Sequence, residues 1–163
     1  MQLELTDKER LILANQYEIL GLLKKEDYYL DLAEQLRDGH KWLYRQSFGT
    51  LSENLPDEDA ELVLNILEVH KALKISYDAL TDKSGISIQD ISFAGFDGNN
   101  ESELIDFVDA LKKSNRFVNV IDAGVRNSHI PKVHTYETMI QKWHELDQSY
   151  TLTKDQILYI LGR

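Results

Sequence analysis

Pro56-Asp57-Glu58-Asp59-Ala60-Glu61-Leu62-Val63-Leu64-Asn65-Ile66-Leu67-Glu68-Val69-His70-Lys71-Ala72-Leu73-Lys74-Ile75-Ser76-Tyr77-Asp78-Ala79-Leu80 decides the fold class. Pro56 suits a first helical position, because its missing N–H has no intrahelical partner there anyway. Asp57, Glu58 and Asp59 complement the positive end of the helix dipole. Leu62, Val63, Ile66, Val69, His70, Leu73, Tyr77 and Leu80 then recur at helical spacing and make one apolar stripe. Leu64 and Ile75 fall off that stripe, so the helix is expected to be central and touched from several directions.

Working outward, the same period returns. Thr6-Asp7-Lys8-Glu9 is a capping-box pattern that starts a helix. Ile12, Leu13, Ile19, Leu20 and Leu23 form its apolar face, with Gln16 near the middle. Asp27 to Asp38 brings Tyr29, Leu32, Ala33 and Leu36 together, and Gly39 supplies a stop. His40 to Phe48 follows, with Trp42 and Tyr44, and Gly49 ends it. Asn100 with Glu103 suggests a cap before Leu104, Phe107, Val108 and Leu111. A helix over about Thr135 to Asp147 turns Tyr136, Met139, Ile140, Trp143 and Leu146 inward. Thr153 with Gln156 caps the last, short one.

Two stretches break the period. Ile86 and Ile88 alternate with serines, as do Ile91 and Phe93, and Arg116 to Ile121 has the same extended character. The expectation is a mainly α, single-domain bundle over residues 1–163, with about seven to eight helices. A short two-stranded β ribbon from the two extended-looking stretches is the added option. Tight turns interrupt the pattern at Gly95-Phe96-Asp97-Gly98 and from Asp122-Ala123-Gly124 to Pro131. Backbone geometry departs from the helical default in these two loops, so they are where a site is expected.

The composition narrows the chemistry. The 163 residues carry 42% apolar and 28% charged side chains, as a packed globule does. No apolar run approaches the roughly 18 residues of a membrane span, and no signal peptide is visible, so the cytoplasm is the expected location. With no cysteine there is no disulfide, thiolate metal site or Cys nucleophile. The net charge is −10; up to Asp82 there are 9 Lys and Arg against 17 Asp and Glu, a net of −8. That balance is the opposite of what phosphate contacts favour, and nucleic acid is not an expected partner.

Motifs for catalysis are missing. Read as a calcium loop from Asp97, the sixth and twelfth positions would be Ser102 and Val108 instead of Gly and Glu. The five histidines form no i, i+4 pair and no His-Glu-x-x-His run, though His129, His134 and His144 could gather in the fold. There is no nucleophile elbow, no phosphate-binding glycine loop and no dinucleotide fingerprint. The reading leans away from an enzyme and names no cofactor and no metal. A metal-dependent hydrolase built on the histidines is the least favoured alternative.

Polar residues on apolar faces are the better lead. A buried amide such as Gln16 must find partners or cost about 1–3 kcal/mol. Asn15, Gln16 and Tyr17 offer hydrogen-bonding groups around most of one helix, and His70 lies on the central stripe. His70 reads first as a buried, hydrogen-bonded imidazole and second as the wall of a pocket.

Arg10 to Tyr17, Gly95-Phe96-Asp97, Asp122-Ala123-Gly124, and Tyr136 with Met139 and Trp143-His144 resemble, in type and spacing, the bacterial YfbU family. The likeness runs nearly end to end. It brings no catalytic residues. The family's domain occasionally follows a helix-turn-helix segment in other chains, which implies by analogy a ligand-sensing or regulatory module. This chain begins at the domain itself, so a direct transcriptional role is not expected. The leading expectation is a non-catalytic small-ligand sensor. Its pocket would be formed by Asn15, Gln16, His70, Phe96, Asp97, Asp122 and Arg126, with Arg126 holding an anionic group. The alternative is a homo-oligomeric protein-interaction module, motivated by surplus apolar and aromatic surface around Tyr28, Tyr29, Trp42 and Tyr44.

Overall fold

The long stripe does form one helix, and five shorter helices pack on it. The computed structural model describes residues 4–48, 54–121 and 127–163. Among them are nine helices: α1 (Asp7–Lys24), α2 (Asp27–Arg37), α3 (Lys41–Ser47), α4 (Asp57–Ala79), α5 (Ile88–Ile91), α6 (Ser102–Lys113), α7 (Val118–Ile121), α8 (Val133–Glu145) and α9 (Lys154–Leu161). The fold is mainly α, as the periodicity predicts. The described residues contain no strand, only an isolated bridge between Phe96 and Asn127.

The chain divides into two compact units, Met1–Asn54 and Leu55–Arg163. In the second, α5, α6, α7, α8 and α9 all pack against α4. This explains the off-stripe Leu64, which packs against the core, whereas Ile75 is exposed. Val63, Ile66, Leu67, Val69 and Leu73 are fully enclosed, and burial of each side chain contributes roughly 1.5–3 kcal/mol before entropy is set against it. Ser76, also buried, ties α4 to the segment before α9. Its Oγ donates to the Tyr150 carbonyl at 3.0 Å and accepts from Leu152 N at 2.9 Å.

In the first unit, α1 lies along α2, with a small core of Ala14, Leu32, Leu36 and Tyr44. The crossing is close at Gly21, where an added Cβ would sit 2.6 Å from Leu30 Cδ2. Its lack of a side chain therefore serves packing. Arg10 reaches across to the end of α2 and donates to the Leu36 carbonyl at 3.3 Å.

The structure corrects the β ribbon. Both candidate segments contain short helices, α5 and α7. The serines that look like strand alternation bracket α5: Ser87 forms a reciprocal capping box with Asp90 at its start, and Ser92 is its C-cap. Downstream, Asn115 and Phe117 take φ of 58° and 53°, in the left-handed region, which breaks any extended run. The capping boxes at Thr6/Glu9 and Thr153/Gln156 form as read. Asn100 does not cap α6, whose N-cap is Glu101. Gly49 lies outside the described residues.

Candidate functional site

The Gly95–Gly98 loop is held by a dense set of polar contacts. Gly95 takes φ +83°, and its carbonyl accepts from the Tyr136 hydroxyl on α8 at 2.9 Å. Phe96 is fully buried, and its carbonyl accepts from Ser128 N at 2.9 Å. Gly98 N donates to Asn127 Oδ1 at 3.0 Å. A Cβ on Gly98 would stand 2.5 Å from Asn127 Nδ2, so glycine is needed for this approach. The described end of the second irregular stretch, 127–131, thus meets the first loop.

Asp97 is 2% exposed, yet its carboxylate is used locally. Oδ1 accepts from Asn99 N at 3.2 Å, and Oδ2 accepts from the Asn100 side chain. Glu101 carries the longer-range work. Its Oε2 accepts from Asp97 N at 2.7 Å, and Oε1 accepts from Lys132 N at 2.9 Å and Val133 N at 3.1 Å. A carboxylate on otherwise unpartnered N–H groups at the start of α8 is stabilising by hydrogen bonding and by the helix dipole. Sequence reasoning misses Glu101, because its partners lie about thirty residues downstream and no local motif marks them.

His70 and Phe96 share one aromatic cluster. The His70 ring meets Phe93 at 5.7 Å and Tyr136 at 5.4 Å between centroids, both edge-on. Phe96 meets Phe93 and Tyr136 at 5.4 and 5.8 Å. His70 is 3% exposed, and its Nδ1 lies 3.0 Å from the Ile91 carbonyl. Burial pushes this imidazole down to about 4, partly opposed by that hydrogen bond. The Nε2 atom is sealed from solvent and has no partner.

The ring separates two recesses. One, of about 100 Å³, is lined on the Ile91 side by Phe93, Asn119 and Val120. The other, of about 430 Å³, lies over Tyr136, Met139 and Ile160, with Lys132, Lys142, Asp90 and Arg163 at its rim. Asp90 and Arg163 are paired, and the guanidinium, with Ser87, holds the Asp90 carboxyl well below the usual carboxylate range. Asp97 is not among the residues lining either recess.

Asn15 and Gln16 lie in the first unit and are exposed. Asn15 Oδ1 accepts from Arg37 at 3.2 Å. The expectation that Gln16 is buried in a packed stripe is therefore corrected. The face of α1 that packs is Ala14, Gly21 and the half-buried Tyr17. At about 100° per residue, Ile12, Ile19 and Leu23 fall on the side of the helix away from Ala14 and Gly21, and Leu11 and Leu22 lie on the flank with Asn15 and Glu18, which Arg37 of α2 contacts. All five of these leucines and isoleucines are exposed, Leu23 to 76%. In the same unit Trp42 is exposed to 73%, and Tyr28 and Leu43 are exposed too. Among the described residues, nine of the fourteen markedly exposed large apolar side chains thus lie between residues 11 and 43. The sequence carries this signal as apolar residues on two sides of one helix.

Asp122 and Arg126 lie outside the described residues. Among the described residues no three His, Asp or Glu side chains gather as a metal site. His134 is 97% exposed beside Glu137, and His144 is exposed. No helix among them is long and apolar enough to cross a membrane.

The sequence matches the YfbU domain over residues 3–162. It is 30% identical over 162 residues to the UPF0304 protein MJECS11 of Methanocaldococcus jannaschii, covering 94% of this chain and 96% of that protein. The chain belongs to the YfbU family.

Proposed function

We propose that this YfbU-family chain is a non-catalytic protein-interaction module whose exposed α1 face pairs with the same face of a second copy. The observation that carries the proposal is the doubly apolar character of α1. One side of the helix packs on α2, and the rest of its circumference presents Leu11, Ile12, Ile19, Leu22 and Leu23 to water. Exposed patches of this kind mark association surfaces. The stripe runs roughly 16 Å along the helix from Ile12 to Leu23. A stable dimer needs about 800 Å² per partner, and exposed Trp42, Tyr28 and Leu43 of the same unit are further apolar side chains that such an interface could take up.

A second copy fits because an isologous interface brings one patch against itself, so that apolar surface meets equal apolar surface. A straight helix face supports such pairing. Gln16, exposed within the stripe, supplies an amide that can fix register, as polar residues do in paired helices. The first unit also has little core of its own, and so small a unit gains from covering more apolar surface. The family match runs through both units, which supports treating residues 1–163 as one domain.

Sedimentation equilibrium tests this. The wild type is expected to dimerise with a Kd in the micromolar range, and the double variant Ile19→Lys/Leu23→Lys to remain monomeric with unchanged helical content. A wild type that stays monomeric at about 100 µM would overturn the proposal.

A second reading, a small-ligand regulatory module, is favoured by the recess beside His70. Its volume of about 430 Å³ suits a small molecule, and a buried ring nitrogen without a partner stands next to it. Thermal-shift screening against metabolites, with no stabilising hit, would remove this second reading.

A further inference from the structure

We propose that the recess over Tyr136, Met139 and Ile160 binds a small organic anion bearing a hydroxyl or amine hydrogen. That hydrogen is donated to His70 Nε2, and the anionic group is held by the rim lysines, Lys132 and Lys142. The inference rests on the small-ligand reading and adds the chemical class and the contacts.

The tautomer comes first. His70 Nδ1 lies 3.0 Å from the Ile91 carbonyl, which can only accept, so Nδ1 must carry the proton. Nε2 in a neutral ring is then an acceptor. The ring is neutral because burial disfavours its charged form. Ile91 lines the smaller recess and not the larger one. His70 lines both recesses, and with Nδ1 committed to Ile91, Nε2 is the ring nitrogen left for a ligand in the larger one.

An unpartnered acceptor, closed to water, is a standing penalty in the free protein. A ligand hydrogen that reaches it relieves that penalty, whereas a ligand without one leaves it in place. Met139, an unbranched side chain of the lining, can yield to a ligand by changing rotamer.

The rim supplies the charge. Asp90 is neutralised by Arg163, so Lys132 and Lys142 set the sign of the recess. Lys142 Nζ spends one hydrogen on the Tyr159 carbonyl at 2.9 Å and keeps its charge. Two such cations on a chain of net charge −10 form a local field that favours an anion.

The test uses matched probes and ring-nitrogen NMR of the full chain. Glycolate is set against acetate, and glycerol 3-phosphate against methyl phosphate, with glycerol as the neutral control. The hydroxylated anions should bind at least about ten-fold tighter than their partners and than glycerol, and should move the His70 Nε2 resonance. His70→Phe should abolish the hydroxyl preference, and Lys132→Met or Lys142→Met should weaken both anions. Binding in only the carboxylate or only the phosphate arm supports the proposal and names the anion. Equal binding of glycolate and acetate, together with equal binding of glycerol 3-phosphate and methyl phosphate, overturns this ligand class while leaving the small-ligand reading intact. A hydroxyl preference that survives in His70→Phe overturns it too. No shift in any recess resonance removes both. Should His70→Phe fail to fold, the wild-type Nε2 response to glycolate against acetate decides the question alone.

Discussion

Glu101 joins three backbone N–H groups from two distant segments with one side chain, and this sets what its loss would do. Glu101→Ala leaves Asp97 N, Lys132 N and Val133 N without their acceptor. The expected cost is roughly 2–3 kcal/mol, read as a lower urea midpoint at unchanged m-value. His70 gives a pH dependence of fixed sign. Its imidazole is pushed down to about 4 from the ordinary 6.5, so between those values the unfolded chain binds more protons than the folded one. This contribution to stability is complete above about pH 6.5 and is lost as pH falls toward 4, about 3 kcal/mol in all. Urea titrations at pH 7 and 4.5 on wild type and His70→Phe should show the wild type losing more. An imidazole that titrates near 6.5 by NMR would contradict it. Residue by residue, the sequence revealed the local chemistry: the Thr6 and Thr153 capping boxes, and the burial of His70. It did not reveal Glu101, whose partners are set by tertiary structure.

At the scale of elements, long periodic helices were legible, and short ones were not. A four-residue helix such as α5 or α7 spans about one turn, too little for a 3.6-residue period to stand apart from alternation. The apolar face of α1 was legible as a stripe, but its direction was not. Ala14 and Gly21 make the packed side because small residues let α2 approach closely, while the larger residues face away. Gly21→Val tests that assignment. The added side chain meets Leu30, and the expected loss is roughly 1–3 kcal/mol, seen as a lower Tm for melting of the first unit. An unchanged Tm would mean that α1 and α2 do not cross as closely as described.

For the whole molecule, charge and apolar surface pull association in opposite directions. A net charge of −10 makes two copies repel, whereas the α1 stripe attracts. Screening should relieve the repulsion and leave the apolar term, so the dimer is expected to tighten between about 20 mM and 0.5 M salt. Weakening with salt would point to an interface held by ion pairs instead. Because the chain has no cysteine, a single introduced thiol can report where two copies meet. The most direct measurement places a spin label at Glu26→Cys, an exposed position just past the end of α1, and mixes it with nitrogen-15-enriched wild type, which has no thiol to label. The account predicts intermolecular broadening of the amides between Leu11 and Leu23 in the enriched copy. Broadening confined to other helices, or none at about 0.5 mM, would contradict it.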